Sequence, residues 1–559
     1  MTTIKQAFVK TYQQQADRVA LRYKADGAWL EITWRELMAR VRQVSEILNK
    51  MKVKPGQRVA IHMDNCRQWP ELYLGIVSVG CTAVPVDAKL RPQEVAHILR
   101  DSEAEAIFSS ARTYPTLREI ESHLPALSTA VLIDGEKVMP IQNGRIRYID
   151  YETTMSDVRE ASEKDDCLFN RREPSEDDVA SIIYTSGTTG RQKGAMLTHA
   201  NFASNVESMM KCIDLGPSDN LLLVLPLHHA FAFTVNLLVP VFSGAQISFI
   251  QSLKTVGENT REVSPTVLVG VPLLLEKIYA RIMAGLKKKP AAYFLYRAGL
   301  KAPVIKGIKQ KLGGKLRFCV VGGAPSSIDT ITGYAELGIP VIEGYGLTET
   351  APVLTFNPFD APLPGSVGKA LPGVEVQIKD PNEEGIGEIT ARGPNIMKGY
   401  FKNPQATAEV MDGDWFLTGD MGFINEDGYV IITGRKKSLI VNREGKNIYP
   451  EEVETQILKS NFVMETIVLG YTIEGETGER VGAIVVPDEE AMADRRKHRK
   501  HPISDAELTQ LMVDEVKRVT NDISDYKRPR RIQVRSEEFE KTSTSKVKRY
   551  LYAITPTEV

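Results

Sequence analysis

Along residues 58–110, short apolar runs alternate with stretches in which apolar residues recur at helical spacing. Val59-Ala60-Ile61-His62-Met63 reads as a strand, residues 69–79 as a helix, Ala83-Val84-Pro85-Val86 as a second strand, residues 91–100 as a helix and Ala106-Ile107-Phe108 as a third strand. This β-α-β rhythm predicts a largely parallel sheet covered by helices on both faces. It returns at residues 221–225, 246–250, 266–269 and 316–321. After Gly365 the text changes to short strands and turns, at residues 374–378, 387–390 and 428–432, which suggests a small, mostly β region. Past Lys437, helices are expected at residues 450–458 and 505–520, enough for a separate α+β piece. No repeat with a period of 20–50 residues is visible.

A chain of 559 residues exceeds the ~250–300 residues at which single cores stop growing, so at least two domains are expected. The junction is placed near residues 435–437. The expected fold class is α/β. A large N-terminal domain of layered α/β sheets with a small β-barrel-like region spans residues 1–435, and a small mobile α+β lid spans residues 436–559.

Composition narrows the function by exclusion. Seventy Lys and Arg against seventy-one Asp and Glu leave almost no net charge, so neither nucleic acid nor a membrane surface is implied globally. No charged residue stands between Asp219 and Lys254, yet Pro226, Pro240, Gly244 and the pair His228 and His229 interrupt that stretch. Buried strands and helix ends explain it better than a membrane span. No secretory signal is visible at the N-terminus, so a cytoplasmic location is expected. Peripheral membrane contact and a monomeric or homodimeric state are both compatible with the sequence. The five cysteines lie far apart, which argues against a zinc site or a disulfide frame. The basic run at residues 495–501 reads first as a solvated loop, with phosphate or anionic-lipid contact as the alternative.

The most informative segment is Tyr184-Thr185-Ser186-Gly187-Thr188-Thr189-Gly190-Arg191-Gln192-Lys193-Gly194, which follows the apolar Ala180-Ser181-Ile182-Ile183. A strand therefore runs into a loop of glycines and hydroxyls. Backbone N–H groups and hydroxyls there can wrap phosphate oxygens, and Lys193 adds charge. It is not a Walker A loop, because Lys193 stands between Gln192 and Gly194.

This loop resembles the signature of the adenylate-forming superfamily, which comprises acyl-CoA synthetases, luciferases and adenylation domains. Later motifs fit the resemblance. Leu225-Pro226-Leu227-His228-His229-Ala230-Phe231 is similar to the family segment at the junction of acyl pocket and CoA channel, a role that falls on His229. Val320-Val321-Gly322-Gly323-Ala324-Pro325 ends a strand in small residues, so Gly323, Ala324 and Pro325 allow close approach of a flat ligand. In Gly344-Tyr345-Gly346-Leu347-Thr348-Glu349-Thr350 the resemblance assigns Tyr345 to adenine, Thr348 to the α-phosphate and Glu349 to Mg2+, with Thr185 as a second metal contact. Trp415-Phe416-Leu417-Thr418-Gly419-Asp420 gives Asp420 the ribose hydroxyls, helped by Arg435. Lys437 matches the hinge position, and Gly445 lies beside the pantetheine channel. Lys541-Thr542-Ser543-Thr544-Ser545-Lys546-Val547 aligns with a motif that carries the adenylation lysine, here Lys546, although Ser545 stands where glycine is usual.

What the resemblance implies is a two-step reaction. ATP and Mg2+ occupy the phosphate loop, a carboxylate attacks the α-phosphorus, and Lys193 and Lys546 offset charge as pyrophosphate leaves. The lid then turns about Lys437 so that coenzyme A reaches the carbonyl. The segment Val269-Gly270-Val271-Pro272-Leu273-Leu274-Leu275-Glu276-Lys277-Ile278, with the Lys-rich spacer before Gly322, looks like the long-chain fatty acyl-CoA synthetases, which implies a medium- to long-chain fatty acid. Aryl and alicyclic acids, a carrier protein as the acyl acceptor, and a regulator that binds nucleotide without catalysis are the alternatives.

Overall fold

A computed structural model describes residues 2–137, 144–185, 192–473, 478–489, 491–492, 504–541 and 547–554. The chain forms two compact units. The first comprises residues 1–376, 391–416 and 426–430, and the second residues 377–390, 417–425 and 431–559.

Two sheets dominate the first unit. In the eight-stranded sheet, Val179–Thr185, Thr82–Val86, Arg58–His62, Ala106–Ser110, Thr129–Ile133 and Arg147–Asp150 lie side by side in that order and are parallel. Lys193–Thr198 and Gly399–Tyr400 extend one edge in antiparallel sense. The nine-stranded sheet has the parallel series Val341–Gly346, Phe318–Gly322, Val267–Gly270, Asn220–Leu223, Gln246–Phe249 and Val19–Ala25. Antiparallel strands finish both of its edges. The expected strands and helices lie within one or two residues of these bounds. Parallel strands buried on both faces read as continuous apolar runs, which is why they were easy to see.

Residues of both sheets share one core, with Val59, Ile61 and Ala83 of one clustered with Leu221, Ile247 and Phe318 of the other. Helix Gln68–Ser78 is buried along its whole length. Its Tyr73 ring meets Phe233 edge-on at 4.5 Å between centroids, a favoured aromatic geometry. Helix Trp34–Lys50 starts with a capping box, in which the Thr33 hydroxyl accepts from the Glu36 N–H and the Glu36 carboxylate accepts from the Thr33 N–H. The charge-free stretch after Asp219 forms strand Asn220–Leu223, the helical turns Ala230–Phe233, Thr234–Leu238 and Val239–Ser243, and strand Gln246–Phe249. No helix among the described residues is long and apolar enough to cross a membrane.

The second unit takes up most of a five-stranded sheet made from Glu375–Lys379, Gly387–Arg392, Met411–Asp412, Trp415–Ile424 and Val430–Arg435. It also holds a three-stranded sheet of Val463–Tyr471, Arg480–Pro487 and Arg531–Val534. Helices Pro450–Ile457 and Asp505–Val519 cover that sheet, with Val453, Ile457, Met512 and Val516 packed on Val468, Val481 and Val485. The fold is thus the expected α/β class with a large sheet-and-helix N-terminal part and a smaller C-terminal α+β part.

Candidate active site

Strands Val179–Thr185 and Lys193–Thr198 pair as a hairpin whose last register pair is Thr185 with Lys193. The glycine- and hydroxyl-rich residues Ser186, Gly187, Thr188, Thr189 and Gly190 connect these ends and lie outside the described residues. Tyr400 is laid beside the hairpin because its strand pairs with Ala195 and Met196. The Lys193 ammonium sits 5.2 Å from the centroid of the Tyr400 ring, a cation–π contact. The Tyr400 hydroxyl donates to one carboxylate oxygen of buried Glu349 at 2.7 Å. Burial and then the Glu349 charge push the Tyr400 phenol upward, so it remains a donor at any working pH. Lys193 and Glu349, expected to act on the same phosphates, are therefore joined through a tyrosine that no motif had singled out.

Two parallel strand ends form the adjoining wall. Gly322 and Gly344 are register partners, so Gly323-Ala324-Pro325 leaves the sheet beside Gly344-Tyr345-Gly346, the end of strand Val341–Gly346. Gly323 has φ +86°, a conformation that favours glycine. A β-carbon on Gly346 would run into the Pro352 carbonyl, so only glycine fits there. Thr348 and Glu349 stand in a single helical turn, Thr348–Thr350. Buried asparagines brace that turn: the Asn205 side chain bonds both the N–H and the carbonyl of Val353, and the Asn395 amide donates to the Thr350 carbonyl at 2.8 Å. Glu343 precedes Gly344 and is buried. Burial raises its carboxyl to about 7, and nearby Ser326 offsets only part of this.

His229 caps the short helix Ala230–Phe233. Its Nε2 lies 3.0 Å from Nε2 of His228, which in turn lies 3.4 Å from the Asp87 carboxylate. Burial alone would raise the Asp87 carboxyl, but the hydrogen bond and charge of His228 hold it well below the usual range. Burial also lowers His62, at the end of the neighbouring strand, to about 4. Phe231 of the same helix lies close to Gly322 and lines a narrow slot with Met209, Met210, Val235, Val320 and Gly344. Every lining residue of this slot is apolar or glycine, and its free volume is about 20 Å³.

Within the second unit, Asp420 is buried and its carboxylate meets the Arg435 Nε at 2.7 Å. The Thr418 hydroxyl accepts from the Asp420 N–H, which fixes the turn. Next to it the Glu388 carboxylate accepts from the Gly419 N–H and from Lys436, two contacts that sequence reasoning missed because Glu388 has no motif around it. Lys437 lies in the turn Lys436–Ser438, directly after strand Val430–Arg435. Gly445 has φ +74° in the turn between Ile440–Val441 and Asn447–Ile448, with open space where a β-carbon would stand. Lys546 and Ser545 lie outside the described residues, as does the basic run at 495–501. The flanking Lys541 and Val547 form an antiparallel bridge.

Among the described residues no cluster of three or more His, Cys, Asp or Glu could cage a metal. The buried Glu349 carboxylate, joined through Tyr400 to the hairpin that ends in Thr185 and Lys193, nevertheless suits Mg2+, which takes one or two carboxylates and completes its shell with phosphate oxygens and water. Glu349 and Thr185 fit that donor set.

Residues 8–401 match the AMP-binding enzyme family and residues 452–546 the AMP-binding enzyme C-terminal domain. The long-chain-fatty-acid–CoA ligase FadD15 of Mycobacterium bovis is 30% identical over 526 residues, covering 89% of this chain and 84% of that protein. Among solved structures, ATP-bound MatB from Rhodopseudomonas palustris superposes with a TM-score of 0.76 at 27% identity, over 98% of each chain. The anthranilate CoA ligase AuaEII, solved with anthranoyl-AMP, shares the fold with a TM-score of 0.78 at 22% identity, over 98% of this chain and 96% of that one. With a phosphate-loop hairpin, a braced Thr348-Glu349 turn and two family matches spanning most of its length, the chain belongs to the AMP-binding enzyme family and is an AMP-forming acid–thiol ligase that uses ATP, Mg2+ and coenzyme A.

Proposed function

We propose that the acid is a medium- to long-chain fatty acid, which the enzyme joins to AMP and then transfers to the sulfur of coenzyme A. The observation that carries this reading is the slot beside Gly344, lined only by apolar side chains and glycine. A second carboxylate, an amine or a hydroxyl on the acid would find no partner in it, and an unpaired buried polar group is costly. An alkyl chain needs none. At about 20 Å³ the slot has room for little more than a water, so an alkyl chain enters it only as it opens, which the flexible, unbranched side chains of Met209 and Met210 allow.

In this reading residues 185–190 and Lys193 hold the phosphates, Tyr345 lies on adenine with Gly323, Ala324 and Pro325 nearby, and Thr348 meets the α-phosphate. Glu349 and Thr185 hold Mg2+, which when bound supplies positive charge to the phosphate oxygens. Asp420 and Arg435 take the ribose, and Lys546 bridges the acid's carboxylate and the α-phosphate. For the second step, residues 436–559 act as a mobile lid on residues 1–435, turning at Lys437, while His229 and Gly445 border the path of the thiol. A cytoplasmic location suits these water-soluble cosubstrates.

A panel of straight-chain acids from acetate to palmitate, with benzoate and anthranilate beside them, tests the reading through CoA consumption. kcat/KM is expected to rise about fourfold per methylene until the slot is full. A maximum at acetate or at either aryl acid overturns it.

A further inference from the structure

No aspartate or glutamate stands between Glu276 and Asp329, a stretch that carries twelve lysines and arginines. The rest of the chain is acidic by comparison, since the whole is balanced at seventy against seventy-one. This charge belongs to a lobe of three helices, Pro272–Lys287, Pro290–Arg297 and Ala302–Lys311. The lobe has its own small core of Leu286, Tyr296, Val304, Ile308 and Leu337.

The lobe's outer side breaks the usual rule for a solvated surface. In helix Pro290–Arg297, Tyr293 and Tyr296 pack inward, while Ala291, Phe294 and Arg297 face out. Phe294 is 70% exposed and Leu300 62% exposed. Phe294 lies in the last turn of the helix and Leu300 just beyond its end, where the Ala298 N–H bonds the Phe294 carbonyl and the Leu300 N–H bonds the Leu295 carbonyl. Lys287, Lys288 and Lys289 precede this helix, Arg297 stands between Phe294 and Leu300, and Lys301 follows Leu300. Lys301 is tied to Glu336 at 2.9 Å and Arg317 to Asp219 at 2.7 Å. The exposed Lys287, Lys288, Lys289 and Arg297 have no ion-pair partner among the described residues.

Exposed Phe and Leu cost free energy in water, and four unpaired cations in the same lobe repel protein surfaces of the same charge. One environment satisfies both features at once: an apolar layer beneath a sheet of negative charge. We propose that this lobe is a docking surface for a bilayer containing anionic lipids, with Phe294 and Leu300 entering the headgroup boundary and Lys287, Lys288, Lys289 and Arg297 at the phosphates. The inference does not depend on which acid the enzyme uses, and its test reads binding without turnover. Nucleic acid would engage the cations without burying Phe294 and Leu300 in an apolar layer.

The test is co-sedimentation of the full-length enzyme with phosphatidylcholine vesicles, with and without phosphatidylglycerol, and with duplex DNA as competitor. The parent protein is expected to bind only the vesicles containing phosphatidylglycerol and to come off in high salt. Lys287→Gln, Lys288→Gln and Lys289→Gln together are expected to weaken binding about 100-fold, at the usual contribution of a lysine near an anionic surface. Phe294→Ser with Leu300→Ser is expected to weaken it about tenfold or more at unchanged charge. All five positions are exposed, and an unchanged melting temperature with unchanged turnover of a water-soluble acid reports intact folding. Vesicle binding that survives the triple lysine variant overturns the proposal. So does binding that is indifferent to Phe294 and Leu300 and is displaced by DNA, which would make the lobe a general polyanion surface.

Discussion

Glu343 carries a carboxyl that burial lifts from the usual 4.5 to about 7. Between those two values the folded chain holds a proton that the unfolded chain has released. Stability therefore falls as pH rises through this window, and the penalty is complete above about 7. At 1.36 kcal/mol per pKa unit the full effect is on the order of 3 kcal/mol. Glu343→Gln keeps the shape and removes the charge. The variant is expected to melt several degrees higher than the parent at pH 8 and close to it at pH 4.5, and an equal shift at both pH values would show that folding does not raise the pKa of this carboxyl. The position was silent in the sequence, because a glutamate before Gly-Tyr-Gly reads as ordinary until the parallel register sets it opposite Val321. Asp420 and Arg435, by contrast, were both visible, since each sits in a short run of residues with few alternative uses.

At the scale of elements, the parallel strands were the most legible part of the molecule. Fully buried strands leave continuous apolar runs, and the helices between them carry start signals such as Thr33 with Glu36. Pairings between distant segments leave no such trace. Gly399–Tyr400 is two residues long and joins Ala195 and Met196 from two hundred positions away, so nothing local announced Tyr400 as a neighbour of Lys193 and Glu349. Its hydroxyl orients a carboxylate in a buried setting, where a hydrogen bond to a charged group contributes about 1.5–3 kcal/mol. Tyr400→Phe removes the hydroxyl and keeps the ring under Lys193. ATP–pyrophosphate exchange is expected to slow about 10- to 100-fold, with a higher Mg2+ concentration needed for half-maximal rate. A variant with parental Mg2+ dependence would confine Tyr400 to packing.

At the scale of the whole molecule, the chain enters its second compact unit three times, at residues 377–390, 417–425 and 431–559. Chain length alone could foresee two domains but not this interleaving, because strands of one small sheet are exchanged along the chain. The last entry leads into Lys437, in a helical turn directly after strand Val430–Arg435. A hinge needs a residue whose backbone angles can change at little cost, and an exposed turn that directly follows a strand meets that need. Proline at this position fixes φ near −65° and restricts Ser438's neighbour on the other side, Lys436, to extended angles. If the two half-reactions require different angles at Lys437, Lys437→Pro traps one of them. ATP–pyrophosphate exchange is expected to stay within a fewfold of the parent while thioester formation from supplied acyl-AMP falls about tenfold or more. A variant that slows both half-reactions equally, or neither, would remove Lys437 from the role of hinge and leave the turn as a simple connection.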